Sequence, residues 1–502
     1  MGRAYSFSAA FQKQNFITLT CIMKTIFQLF SFVVLWASCT PPPTNYAGQY
    51  PDDVRVIIDN KCATAGCHNR YSFQNAANLR LDKWEHLWQG SGTGSVVIPY
   101  NASNSSLTYF INNNPDLGPV LLPQMPINGT ALSAAEYATI KNWIDAGAPD
   151  KVGNIPFATN PENRQKIYIS QQGCDLIAVI DAQTNLIMRY IKIGKEPGIE
   201  VAHALRFSPD GRYCYVVFTN GKYLQKIDAS SDAVVGDLFL GNGSWNLLHI
   251  SDDGKSALVT DYSPFNAKVK LLNLETMSIT ATYEDFVNPH GIASNAAFDT
   301  FLISSQRGNT VYRLTKKGNV RLFSIDGEEP NFKNQTIDPH EIIMSPDRSK
   351  YFLTCEASNE VRVMDAKTHT LLKVIPLGTK PQEFAMSRVQ PYLFVSCEEE
   401  QTIEFPNFKG AVYVINYNTL ELVKRIPGPF YQIHGIAVDD KGGRLFIASR
   451  NIATTGPAPH HTSECGGRNG FYAVYDIHTL QPFTNKRFEC SVDPYSADVR
   501  FK

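Results

Sequence analysis

Two cysteines and a histidine stand together early in the chain, in Lys61-Cys-Ala-Thr-Ala-Gly-Cys-His-Asn69. Two thiols beside an imidazole can add across the vinyl groups of a haem and offer the ring to its iron. Covalent attachment of this kind usually has two residues between the cysteines. Here Cys62 and Cys67 enclose four, and His68 follows directly, so a haem loop would be a widened one. A disulfide and a zinc site are the rival chemistries. Zinc requires further ligands at short spacing, and His86 is the only other histidine before residue 200. A thioether is a soft, neutral donor that suits low-spin haem iron and raises its potential. Met125, framed by Pro123 and Pro126, is the candidate for that second axial position, against the alternative of a methionine filling a core gap.

A second set of histidines lies far downstream. His203, His290, His340 and His434 open successive strand-like segments, together with Asn246, Gln382 and, approximately, Ser496. If those segments are the inner strands of a radial fold, the four rings converge on one axis. They could then hold a transition metal, a haem-like cofactor or an anion. The plainer reading is that the rings hydrogen-bond to neighbouring loops. A third cluster, His460, His461 and Cys465, sits in a long insertion over Asn451–Gly470, and long loops are often functional. It is either a metal site or a loop pinned by a Cys465–Cys490 disulfide, with the disulfide preferred. No Gly-rich phosphate loop, nucleophile elbow or His-Glu-x-x-His helix is present.

The elements that must carry these residues fall into distinct regions. Residues 1–39 read as an export leader, with Met23 the expected true start: Lys24, an apolar run to Trp36, then Ala37-Ser38-Cys39. Cys39 has the setting of a lipidation site, although Trp36 stands where a small aliphatic residue is usual. Residues 40–49 form a proline-rich linker. Over 50–150, a short helix across Asp52–Asn60 leads into the cysteine loop, and Val54, Val56, Ile57 and Ile58 are expected to cover one haem edge. A last helix across Leu132–Gly147 begins with the capping box Ser133/Glu136 and ends at Gly147 and Pro149. After a linker over 151–165, residues 166–502 repeat short strands with a period of about 45 residues, the signature of propeller blades. The opening strand Lys166–Ser170 lacks a preceding inner strand, and Ser496–Phe501 is an inner strand with nothing after it. Pairing them completes a seventh blade and removes the sheet edges.

The order Cys62…Cys67-His68, Leu79-Arg-Leu-Asp82, Ile98-Pro99, Ser105-Ser-Leu107, Met125-Pro126 and Trp143-Ile-Asp-Ala-Gly-Ala-Pro149 resembles the small cytochrome c domains of planctomycete type. That resemblance implies thioether bonds at Cys62 and Cys67 and haem iron between His68 and Met125. The Ser-Pro-Asp-Gly turns and Val-Ile-Asp strand ends of the second region resemble YVTN-type seven-bladed propellers. The expected fold is therefore multidomain: a small all-α cytochrome c domain, then an all-β seven-bladed propeller closed by pairing of the C-terminal strand with the first blade.

The net charge of −1 over 502 residues excludes a basic nucleic-acid surface. The reading that follows is an exported protein of the periplasm or outer membrane, anchored through lipid at Cys39. It carries one haem c that exchanges electrons with a redox partner protein of the cell envelope, and its propeller serves docking or substrate recognition. The first alternative is a periplasmic oxidoreductase with a second metal or haem-like centre at the histidine mouth. Its layout is similar to that of cytochrome cd nitrite reductases, whose propellers have eight blades. The second alternative is a cell-surface binding protein.

Overall fold

The computed structural model describes residues 46–264, 266–333, 335–450 and 470–502. Cys39, His460, His461 and Cys465 lie outside the described residues, as does the leader. Residues Ala47–Lys502 form one compact unit.

The first hundred residues of that unit are short helices and turns. Helix α1 (Asp52–Ile57) carries Asp52 and Asp53 at its positive end, where their charge is favourable. It then widens into a π-type turn over Ile58–Cys62 that delivers the first cysteine. Val54, Ile57 and Ile58 are buried, but Val56 is exposed and does not join them, because Ile57 and Ile58 follow Val54 by three and four residues on one helix face and Val56, two residues on, points away from it. Helices α2 (Trp84–Leu87) and α3 (Ser106–Ile111) follow. Helix α4 (Ala134–Asp145) has both halves of the Ser133/Glu136 capping box and ends ahead of Gly147, whose φ is +100°. Its Tyr137, Ile140, Trp143 and Ile144 face a core shared with Leu79, Leu81, Trp84 and Val97.

Among the described residues the strands form seven four-stranded antiparallel sheets, the blades of a propeller. Several blades repeat the same polar devices. In the Ser-x-Asp turns, the hydroxyls of Ser208, Ser251 and Ser345 donate to Asp210, Asp253 and Asp347 at 2.6 Å. At the third-strand ends, Asp228, Asn273, Asp365, Asn416 and Asp476 each accept backbone N–H bonds from the residues two and three places further on. Asx turns of this kind close a hairpin with no extra residues. In the first blade, strand Pro494–Val499 pairs antiparallel with Lys166–Gln171, matching Ile167 with Val499 and Ile169 with Ala497.

The helical region docks on the rim of the propeller. Ser95 Oγ donates to the carbonyl of Ile187, and Glu489 N to the carbonyl of Thr93, both at 2.9 Å. The Arg189 guanidinium lies 5.0 Å from the centre of the Tyr100 ring. Ile98 joins the core formed by Ile167, Ile187, Phe446 and Phe488. These contacts reach the outermost strands of the first and last blades, Leu186–Lys192 and Phe488–Cys490.

Candidate functional site

The cysteine loop is held by its own backbone. His68 N donates to the Cys62 carbonyl and Cys67 N to the Thr64 carbonyl, both at 3.1 Å. Cys62 and Cys67 are both free thiols, so the disulfide reading does not hold here. Burial, and secondarily the nearby Cys67, pushes the Cys62 thiol up to about 12. His68 Nδ1 lies 3.0 Å from the Leu79 carbonyl oxygen. A carbonyl can only accept, so Nδ1 carries the proton and Nε2 keeps its lone pair. A carbonyl that accepts from one ring nitrogen in this way orients an imidazole for binding metal through the other. Cys62 and Met125 pack against one hydrophobic cluster, and Met125 is positioned by its N–H to the Phe110 carbonyl at 2.8 Å. The Tyr50 hydroxyl and Trp88 Nε1 are buried on that cluster without partners. Leu122 is 82% and Ile127 54% exposed on the methionine loop. Two free thiols, an imidazole with Nε2 open, a thioether and uncovered apolar side chains fit a covalently held haem.

The propeller does bring its histidines together. His203, His290, His340 and His434 line a cavity of about 250 Å³ with Asn246, Gln382 and Tyr495. The last of these corrects the expected Ser496 by one residue. Pro289, Pro339, Pro381 and Pro494 each precede a mouth residue, and that signal would have selected Tyr495. Ring centres lie 3.9 Å apart for His290–His340, 5.7 Å for His340–His434 and 6.3 Å for His203–His434. Tyr495 stacks on His434 at 3.8 Å.

A ladder of hydroxyls that sequence reasoning missed fixes these positions. Ser304 donates to the His340 carbonyl, Thr354 to that of Gln382 and Ser396 to that of His434, each at 2.7 Å. The same three oxygens accept from Gly291 N, Glu341 N and Glu383 N in their own blades. Each hydroxyl thus ties one blade's second strand to the next blade's mouth. Gly291 and Gly435 have no side chain because a Cβ there would meet the backbone of the adjoining inner strand.

Burial first, and neighbouring charge second, holds His203 and His340 down at about 3 and His290 and His434 well below the usual imidazole range. The rings are therefore neutral at physiological pH, which leaves lone pairs available and removes the positive charge that would attract an anion. His203 Nδ1 is bonded to Gln172. His290 Nδ1, His340 Nδ1 and both nitrogens of His434 are buried without hydrogen-bond partners. Around them Arg450 pairs with Asp493 and Glu398, and Lys380 with Glu398.

The opposite end of the channel is a larger cavity of about 770 Å³, lined by Arg206, His249, Glu341, Arg348, Glu383 and Asp498 among others. Its histidine is committed: His249 Nε2 lies 2.9 Å from Ser294 Oγ and the ring stacks on Phe298. In the last blade Cys490 carries a thiol and is buried in the blade core, while Cys174 is the disulfide-bonded cysteine among the described residues. The expected Cys465–Cys490 bridge is therefore not made by Cys490. Strand alternation turns Cys490 inward and gives Ser491 the contact with Cys174, at 3.1 Å.

Fold and site together define a seven-bladed β-propeller with a histidine-lined axial cavity, joined to a small helical region. A family model described as "Cytochrome D1 heme domain" matches residues 159–390. Among solved structures, a functionally unknown protein from Desulfotomaculum acetoxidans DSM 771 is 17% identical with a TM-score of 0.49, covering 66% of this chain and 99% of its own. Hydrazine synthase of Kuenenia stuttgartiensis is 13% identical with a TM-score of 0.46, covering 60% of this chain and 90% of its own. No curated protein sequence matches.

Proposed function

We propose that the protein is an exported c-type cytochrome whose haem, held by Cys62 and Cys67 and ligated by His68 and Met125, transfers electrons. The observation that carries this reading is the His68 ring, with Nδ1–H committed to the Leu79 carbonyl, beside two free thiols. The haem supplies a one-electron couple. The chain's own residues do the rest. The thiols would anchor the group, the Leu79 carbonyl orients the imidazole, and the Phe110 carbonyl fixes the loop that presents the thioether. With both axial positions taken by protein, such a centre is suited to electron transfer rather than to binding substrate at iron. The reading includes export, a lipid anchor at Cys39 and an electron-exchange partner in the cell envelope. The test is a pyridine haemochrome spectrum of the exported protein after acid–acetone extraction. One covalently retained c-type haem per chain is expected, and Cys62→Ala/Cys67→Ala should leave none attached. Extraction of all haem from the unmodified protein would overturn the reading.

A second reading is favoured by the family match over 159–390 together with the cluster of His203, His290, His340 and His434, the last three of them buried. In it the protein is an oxidoreductase whose propeller channel holds a further centre, supplied with electrons by the haem.

A further inference from the structure

We infer that His290, His340 and Glu341, with His434 beside them, form a binding site for one divalent first-row transition-metal ion on the axis of the propeller. The inference rests on the second reading above and gives its centre a chemical identity.

One donor atom from each of His290, His340 and Glu341 lies within 4.8 Å of the others. At a tetrahedral angle, bonds of about 2.1 Å put ligand atoms roughly 3.4 Å apart, so side-chain rotations would draw the set in on an ion. All three are at least nine-tenths buried, at 4%, 3% and 9% exposure, and His434 is at 2%. His290 Nδ1, His340 Nδ1 and Glu341 Oε2 are each buried with no hydrogen-bond partner, as are both nitrogens of His434. Buried polar atoms are nearly always satisfied, because leaving one unpaired costs about 1–3 kcal/mol. A metal ion bound by His290, His340 and Glu341 would satisfy several of these atoms at once, while His434 Nδ1 lies 3.7 Å from Glu383 Oε1. The surroundings match. Behind His340, Glu356 Oε1 lies 3.4 Å from Nε2, the place of an orienting carboxylate. Gly291 lets the His290 and His340 strands approach, since a Cβ there would lie 2.5 Å from the His340 carbonyl oxygen.

The donor set also selects. Imidazole and carboxylate without sulfur suit divalent iron, cobalt, zinc or manganese rather than soft cuprous ion. Two histidines and one carboxylate leave coordination positions open. His290, His340 and His434 line the cavity of about 250 Å³, and Glu341 lines the larger cavity at the opposite end of the channel, so the ion would sit between the two.

The test uses the full-length exported protein, stripped with chelator and titrated with Co²⁺. Uptake of one equivalent with visible d–d bands is expected, and Glu341→Gln and His340→Gln should each weaken binding at least tenfold without altering the haem spectrum. X-ray absorption of the Co²⁺-loaded unmodified protein should show imidazole scattering, a readout independent of whether a variant folds. Uptake unchanged in both variants, or absorption without imidazole, would overturn the site. An extractable second tetrapyrrole with no Co²⁺ uptake would also overturn it while sparing the idea of a propeller cofactor. Neither metal nor second chromophore would sink both.

Discussion

The hydroxyl of Ser304 donates to the carbonyl oxygen of His340 at 2.7 Å while accepting from Gly291 N at 2.8 Å. One buried oxygen therefore couples two blades at the point where two mouth histidines face each other. Ser304→Ala removes a partner from two buried backbone groups at once and should destabilise the propeller by about 1–3 kcal/mol. Ser304→Thr should be much milder, because Thr260 and Thr354 bond at the equivalent places. Urea denaturation of the two variants measures the difference, and equal midpoints would refute the ladder's role.

The junction of the first two blades depends on a buried ion pair. Lys166, at 1% exposure, places Nζ 2.8 Å from both Asp232 oxygens and from the Ala229 carbonyl, and Tyr168 donates to Asp232 at 2.6 Å. Lys166→Met leaves the carboxylate buried without its cation, which should cost about 3–5 kcal/mol. Pairing it with Asp232→Leu should recover part of that loss. Thermal melting of the single and double variants tests this.

Stability should decline as pH rises from about 4 to 6. Burial, with the Glu200 charge secondary to it, pushes the Asp175 carboxyl up to about 6. Below the unfolded-state value both forms are protonated and the native state carries no penalty. Between that value and 6 the native state holds a proton that the unfolded chain has released, so stability falls, and above 6 the loss is complete. At 1.36 kcal/mol per unit the contribution reaches about 3 kcal/mol. The decline in urea-unfolding free energy from pH 4.5 to 7 should be smaller in Asp175→Asn. An identical decline would assign the effect to other groups.

On the proposed haem, Met125 is the replaceable ligand. Met125→His should lower the reduction potential by a fraction of the roughly 0.8 V that axial ligands span, with both thioether bonds retained. Redox titration of the purified protein checks it. An unchanged potential would remove Met125 from the iron.

Much of this was legible in the sequence because it rests on local rules. The capping box of α4 is written in Ser133 and Glu136, and the hairpin turns in Ser-Pro-Asp and the strand-end Asp or Asn residues. The strand-end Asp or Asn recurs in six of the seven blades, at Asp181, Asp228, Asn273, Asp365, Asn416 and Asp476. The alignment of His203, His290, His340 and His434 follows from the same period. A one-residue slip at the last blade exchanged Ser496 for Tyr495, since alternation in a strand makes every register error a change of face.

What only the tertiary structure decided lies between elements. Periodicity places four histidines at one mouth but says nothing of which nitrogens are left unpaired, because that depends on partners from other blades such as Gln172 and Glu356. The hydroxyl ladder joins residues about 30 to 40 apart, and the rim contacts of Ser95 with Ile187 and Thr93 with Glu489 span far more. Side-chain types and spacing set the local geometry through short-range sterics and hydrogen bonding. Cavity size, orphaned donors and the seating of the helical region are set by which distant surfaces exclude water from each other, and this is determined only when the ring of blades is closed.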